Sequence, residues 1–383
     1  MTVWPARTLQ SDCLALGFVF MCEAIAPHLA TAQQMFRLNP SVSVTEVYDS
    51  NLFFTPSDRQ GDSIWRVSPA IEPEYRSMPW TMVGRLTLDA ERFAAHPELN
   101  TIQAREHAAL DLRYHPAPRW TFGTVTEFSK TQTPGELNVL TAVTLARANA
   151  SRLAIRPSAT YDFDALTQGA LEYSYTDDRL ERSPRLRVQT ATVSLTRHRS
   201  ARDTASVGYS VREFLFGPND RTTSQVLSVG WTHSMTPLAS LTLQGGPRVS
   251  DGVLAPELSA SLRYRVRLGD LGLTYSHGQT TLVGLDGTVD THGLAATAMY
   301  RPRRSIQMRM APGMYRSVRV GSAAQVYRVA FGVAGSIGRW LWLDASYDMN
   351  LQHGDLYAAR PLDRIARHVA QIRLVAAPPG GRK

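Results

Sequence analysis

Arginine supplies most of the charged chemistry in this chain. Of 41 basic residues only Lys130 and Lys383 are lysine, so nearly all are guanidiniums, which hold carboxylates, phosphates and sulfates in a planar fork and do not exchange protons at neutral pH. Many stand at two-residue spacing, as Arg263, Arg265 and Arg267 do. The ten histidines are scattered, and His115, His198, His233, His277 and His292 stand singly, which suits solvated or rim positions better than a metal centre. His233-Ser234 and Ser276-His277 are the pairs a hydrolase could use, but neighbours along a strand face opposite sides. The sequence contains no G-x-S-x-G, P-loop, H-E-x-x-H or EF-hand loop. Neither a cofactor nor an enzymatic activity is expected.

The elements that position these arginines are strands. In Leu258 to Leu268, apolar residues alternate with Ser259, Ser261, Arg263, Arg265 and Arg267, giving a strand with one apolar and one polar face. Gly269-Asp270 suits a two-residue turn with Gly first, and Leu271, Leu273 and Tyr275 resume the alternation. The same unit recurs from Ser41 to Val375, giving eighteen candidate strands, with sixteen as the alternative count. Pro69 and Pro73 in the second strand predict a bulge, since proline cannot donate to a ladder.

Composition fits. The chain has 383 residues with 22 Pro, 26 Gly and 19% charged residues, a punctuated mixture suited to many strands and turns, and no apolar run is long enough for a membrane helix. The longest, Cys13 to Cys22, precedes Ala30-Thr31-Ala32, and reads as a signal peptide over 1–32, cleaved between Ala32 and Gln33. Both cysteines fall inside it, which leaves no disulfide and no thiolate site in the remainder. The net charge of +8 is spread along strand patterns without a basic tract, so nucleic acid is not expected as a partner.

Joins between candidate strands alternate. Those after even-numbered strands are short, such as 77–79, 116–118 and 337–339, and those after odd-numbered strands are mostly longer, such as 50–63, 130–152 and 350–364. A soluble sandwich gives no reason for this. A membrane barrel does, having one rim of short periplasmic turns and one of long extracellular loops. The fold expected is therefore all-β: a single transmembrane antiparallel β-barrel over 41–375, after a short periplasmic segment 33–40 and before a tail 376–383. Tyr75, Trp80, Tyr114, Trp120, Tyr300 and Trp340 lie beside short joins, where a ring with an apolar body and a polar edge suits the membrane interface.

In such a barrel the polar faces line the lumen. Arg66, Arg85, Arg105, Arg113, Arg156, Glu172, Arg263, Arg265, Arg267, Arg309 and Arg328 are expected there, because an arginine facing lipid at mid-bilayer costs about 2–4 kcal/mol. Two readings stay open: a wall of mutual ion pairs, or a net-positive passage for anions, with Arg263, Arg265 and Arg267 contributing most. The join from Lys130 to Arg152 is long enough to fold inward.

Val42-Ser43-Val44, Tyr48-Asp49-Ser50-Asn51-Leu52-Phe53, Asp62 and Val67-Ser68-Pro69 carry a resemblance. So do Pro97-Glu98-Leu99-Asn100, Gly246-Pro247-Arg248, Pro256-Glu257-Leu258-Ser259, and Tyr275-Ser276 followed by Thr280-Thr281 and Gly284. Together they resemble the outer-membrane β-barrel porins found with bacterial exopolysaccharide export gene clusters, over residues 38 to 375. The resemblance implies a Gram-negative outer-membrane address among outer-membrane lipids. It also implies a role in passing or secreting polysaccharide, with periplasmic polysaccharide-export proteins and an anionic polysaccharide as partners. Many barrels end on an aromatic residue, whereas this chain ends Leu374-Val375 followed by a Pro- and Gly-rich tail.

Overall fold

A computed structural model of the chain describes residues 35–217, 220–357 and 364–378. Strand after strand is built by period-two alternation of apolar and polar side chains. They are β1 (Met35–Asp49), β2 (Asp62–Arg76), β3 (Trp80–Phe93), β4 (Thr101–Ala117), β5 (Trp120–Thr131), β6 (Ala150–Asp162), β7 (Thr167–Leu180), β8 (Leu186–His198) and β9 (Asp203–Phe216). The second half continues with β10 (Asp220–Thr236), β11 (Ala239–Ser250), β12 (Val253–Val266), β13 (Gly269–Thr280), β14 (Val289–Arg303), β15 (Ile306–Arg319), β16 (Ser322–Ser336), β17 (Leu341–His353) and β18 (Ile365–Ala376). All neighbours pair antiparallel, and β1 pairs with both β2 and β18, closing an 18-stranded barrel. Closure leaves no lengthwise open edge in the wall and satisfies the backbone inside it, as a membrane span requires.

The outer face is apolar and exposed. Leu271, Leu273, Leu294, Met310, Phe331, Leu343 and Ile372 all point outward, the belt expected where lipid replaces water. At the short-turn end Trp80 stacks on Tyr114 at 4.1 Å, and Trp120 packs against Phe122 at 5.5 Å and Tyr161 at 4.7 Å. Tyr300 and Trp340 are exposed at the same rim, and Tyr75 pairs in register with Met82 beside Trp80.

The structure moves several boundaries. The turn expected at Gly269-Asp270 lies at Arg267-Leu268, with Val266 paired to Gly269. Gly269 is needed within the strand, because a Cβ there would strike the Met299 carbonyl. No register shift occurs at Pro69 or Pro73: Pro73 lies opposite Gly84, where a Cβ would come within 2.9 Å of the Pro73 ring, so a missing side chain makes the room a bulge was expected to supply. The segment 33–40 is not separate from the strands. From Met35 it belongs to β1, pairing with β2 alone until the β18 ladder begins at Val42. β18 reaches Ala376. Signal cleavage at Ala32 and Gln33 lies outside the described residues.

Four joins on the supposed long rim are short because their flanking strands extend further than the alternation indicated: 181–185, 217–219, 251–252 and 320–321. Asp251-Gly252 is a two-residue turn with φ of 47° and 83°, a geometry those residue types accept. The long joins are 50–61, 94–100, 132–149, 281–288 and 354–364. The 132–149 and 281–288 joins and residues Leu356 and Tyr357 converge inside the upper lumen.

Candidate functional site: the lumen and its crossing loops

Alternation decides which side chains enter the lumen, and the ladder register decides which of them meet. On the wall formed by β2 to β6 the inner face is densely charged. Arg66 lies 2.7 Å from Glu91 and 3.7 Å from Asp89. Arg105 bonds both Glu91 and Glu136. Arg85 lies 3.5 Å from Glu72, Arg113 3.2 Å from Asp111, and Arg156 3.2 Å from Glu127. Across the ring, Arg309 faces Asp344 at 3.6 Å and Arg328 faces Asp348 at 2.6 Å. Seven of the expected lumen arginines are therefore ion-paired, and their positive potential is largely cancelled at close range.

The arginines of β12 differ from the arrangement expected of them. Arg263 faces inward and makes no ion pair among the described residues. Arg265 comes within 3.8 Å of Asp270, its partner across the ladder. Arg267 lies in the turn at the rim, so the three do not form an uninterrupted inward row. The two-residue shift of the turn is the reason. Arg263 and Arg265 instead line a hollow of about 460 Å³ at the short-turn mouth, together with Arg202 of the β8–β9 join. Glu172 faces the lumen from β7, opposite Thr192.

The wall formed by β8 to β11 is of another kind. Its inner positions between the rims are Thr190, Thr192, Ser194 and Thr196; Thr204, Ser206, Gly208 and Ser210; Ser228, Gly230, Thr232 and Ser234; and Ser240, Thr242, Gln244 and Gly246. None is ionisable. Thr232 and Thr242 share a hydrogen bond of 3.1 Å, and Gln244 donates to Ser228 at 3.2 Å. Gly230 is small because the Ser206 hydroxyl fills the space of its missing Cβ.

The loop 132–149 leaves β5, enters the lumen and crosses to strands on the far side of the ring. Thr144 donates from its backbone and its hydroxyl to Gln352, both at 2.9 Å, and Asn350 donates to the Ala142 carbonyl at 3.4 Å. The 281–288 loop comes the other way, packing Val283 with Leu137, Ala150 and Leu180. Asn138, almost fully buried, joins the two: its side-chain oxygen accepts the Val283 N–H at 3.0 Å and its amide donates to the Val143 carbonyl at 3.1 Å. Tyr357, in the join after β17, donates to the Val283 carbonyl at 2.9 Å, and burial pushes its phenol above the usual range. An apolar cluster of Ala142, Val143, Leu282, Leu285, Val326 and Leu356 seals the crossing.

The crossing is fixed to the charged wall as well. Arg152 bonds Asp178 at 2.6 Å and the Leu137 carbonyl at 2.5 Å. Glu136 accepts from Arg105 and from Thr131. Burial favours its neutral form, but the Arg105 guanidinium outweighs that and holds the carboxyl down to about 2. The loops thus fill the upper lumen against β4–β6 and β14–β17, where Ala154, Ala324 and Val326 are buried. Against β8–β13 space remains. A cleft of about 450 Å³ runs between Leu140 at the loop tip and Thr192, Ser228, Gln244, Ser259 and Ser276 of the wall. Arg212 and Glu257, bonded to each other at 2.6 and 3.0 Å, line it as well.

Of these residues, Arg152 and Arg212 were within reach of the alternation pattern. Asn138, Gln352 and Tyr357 carried no signal, since their partners are 145, 208 and 74 positions away. The His-Ser neighbours separate as expected on a strand: His233 bonds Asp203 at 2.8 Å on the outer face, and Ser234 lies on the inner.

No family model matches the chain, and no curated protein matches it. Among solved structures it is similar to OccK7 (OpdD) of Pseudomonas aeruginosa, with a TM-score of 0.52 and 11% identity over 90% of this chain and 99% of that one. OccAB4 of Acinetobacter baumannii follows with a TM-score of 0.49 and 8% identity over 90% of this chain and 98% of that one. At such identities the likeness to the first of these is one of fold alone: a closed, antiparallel transmembrane β-barrel.

Proposed function

We propose that this chain is a porin-like channel of the outer membrane, short turns toward the periplasm. Its conducting path is the off-centre cleft between the crossing loops and the β8–β13 wall. One observation carries the reading: the loops dock on β4–β6 and on β14–β17 and leave the hydroxyl-lined arc between them, β8–β13, open. A plug would be expected to contact the wall all round. Ser, Thr and Gln exchange hydrogen bonds with passing water and polar solutes at little net cost.

The finer reading is passage of anionic solutes, or assistance in secreting an acidic exopolysaccharide. It is supported by the resemblance in the sequence and by Arg202, Arg263 and Arg265 at the short-turn mouth. Because these charges face water, their effect fades as salt shortens the screening length to about 10 Å at 0.1 M.

Conductance in planar bilayers tests both. The full-length protein should conduct, and Asn138→Leu, which unties the three loops, should raise the current severalfold. Arg263→Glu should move the reversal potential toward cations at low salt. Absence of current in both the native chain and Asn138→Leu would leave a docking barrel as the better account.

A further inference from the structure

The outer face carries a polar row that conduction does not use. His277 pairs in register with His292, His292 with Arg316, Arg316 with Gln325, and Gln325 with His353. Five neighbouring strands, β13 to β17, therefore present these side chains side by side. All point outward, since they share the parity of Tyr275, Leu294, Met314 and Tyr327, which stand exposed two residues nearer the membrane centre. At about 4.8 Å between strands the row is roughly 19 Å long. It lies where the apolar belt ends on the long-loop side.

Three other outward charges near that rim are neutralised by neighbours: Lys130 by Glu106 at 2.9 Å, Arg185 by Asp177 at 2.6 Å, and Arg221 by Glu213 at 3.6 Å. The β13–β17 row contains no carboxylate. Arg316 has no partner among the described residues. His277 and His292 stack in parallel at 4.0 Å, and Tyr275 meets the His292 Nδ1 at 3.2 Å. The nearest acid on β14, Asp290, is taken by Arg248 at 2.6 Å.

We propose that this row binds the phosphate of a membrane lipid headgroup. A guanidinium with the His292 imidazole on one flank and the Gln325 amide on the other matches a phosphate, and the lipid's acyl chains would lie on Leu294 and Met314 directly beneath. Charge and apolar contact thus stack in the order a phospholipid or phosphorylated glycolipid presents them. The site depends on the barrel sitting in a bilayer, not on its conducting. It also backs the wall on which the loops dock: Thr291, Ser317, Val326 and Gln352, each adjacent to a residue of the row, are buried on the inner side.

The test uses the detergent-solubilised full chain, native mass spectrometry, and two probes with identical acyl chains, dioleoylphosphatidic acid and dioleoylglycerol. The native chain should prefer phosphatidic acid, and Arg316→Ala should weaken that binding about fivefold while leaving dioleoylglycerol unaffected. Arg316→Ala with His292→Gln and His353→Gln should abolish the preference, and Lys130→Ala should not change it. Heat-modifiable mobility on a gel confirms that each barrel is folded, and Arg316→Gln serves if the triple variant is not. Equal binding of the two lipids by the native chain, an equal loss in Lys130→Ala, or competition by inorganic phosphate at matched concentration would overturn the proposal. Conductance of the same preparations separates this outcome from failure of the channel.

Discussion

The inner walls of β2–β6 and β8–β11 are made by the same alternation, yet one is crowded with guanidiniums and carboxylates along its length and the other, apart from Arg212 and Arg248 toward its long-loop end, carries mainly hydroxyls, amides and glycine. The difference follows the loops. Where the 132–149 loop must be held, Arg105 and Arg152 reach its Glu136 and the Leu137 carbonyl, and Glu91 and Asp178 on the wall fix those arginines in turn. Charged hydrogen bonds of this kind are strong because the partners are partly withdrawn from water. Where no loop docks, the wall has no such anchors and stays exposed to the lumen. Most lumen charge in this barrel is ion-paired, and the neutral stretch of wall lies between the Arg212–Glu257 pair and the arginines of the short-turn mouth.

The largest effect that would test the contrast is on stability. Glu91 is 3% exposed and receives both Arg66 and Arg105, with Arg147 at 3.8 Å. Glu91→Gln leaves buried guanidiniums without their carboxylate and should cost about 3–5 kcal/mol, seen as a lower temperature for loss of the compact gel form. Ser228→Ala on the neutral wall should cost less than about 1.5 kcal/mol. Similar losses at the two sites would erase the distinction.

An intermediate effect is on acid response. The Glu136 carboxyl is held at about 2 instead of its ordinary 4.5, so its contribution is fully present above about 4.5 and is lost as pH falls toward 2. Single-channel current should stay steady down to pH 4.5 and rise below it as the loop loosens. Glu136→Gln should already show the raised current at pH 7 and lack the acid rise; a rise that persists in this variant would place the sensitive group elsewhere.

The smallest effect belongs to the neutral wall itself. Thr232→Val with Thr242→Val keeps shape and removes two hydroxyls, at about 0.5–1.5 kcal/mol for each hydrogen bond a solute can no longer make. Uptake of neutral sugars into liposomes should slow modestly with ion selectivity unchanged. A shift in selectivity instead would mean that this wall controls the field along the path.

Much of this was legible from the chain. Period-two alternation gave the strands, their inward and outward faces, and the lumen positions of Arg66, Arg85, Arg105 and Arg328, because side-chain direction along a strand is a local property. The Gly269 turn was misplaced because a glycine required by close approach of Met299 looks, in sequence, the same as a glycine required by a turn.

What the sequence determined by itself is the barrel: the number of strands, the apolar exterior and the polar interior all follow from spacing along one dimension. Only the tertiary structure decided which arginines are cancelled, since pairs such as Arg66 with Glu91 or Arg367 with Asp49 depend on register and closure. It alone brought Asn138, Val283 and Tyr357 together. Those contacts join opposite sides of a ring, and a ring's diameters are not written in the neighbours along its circumference.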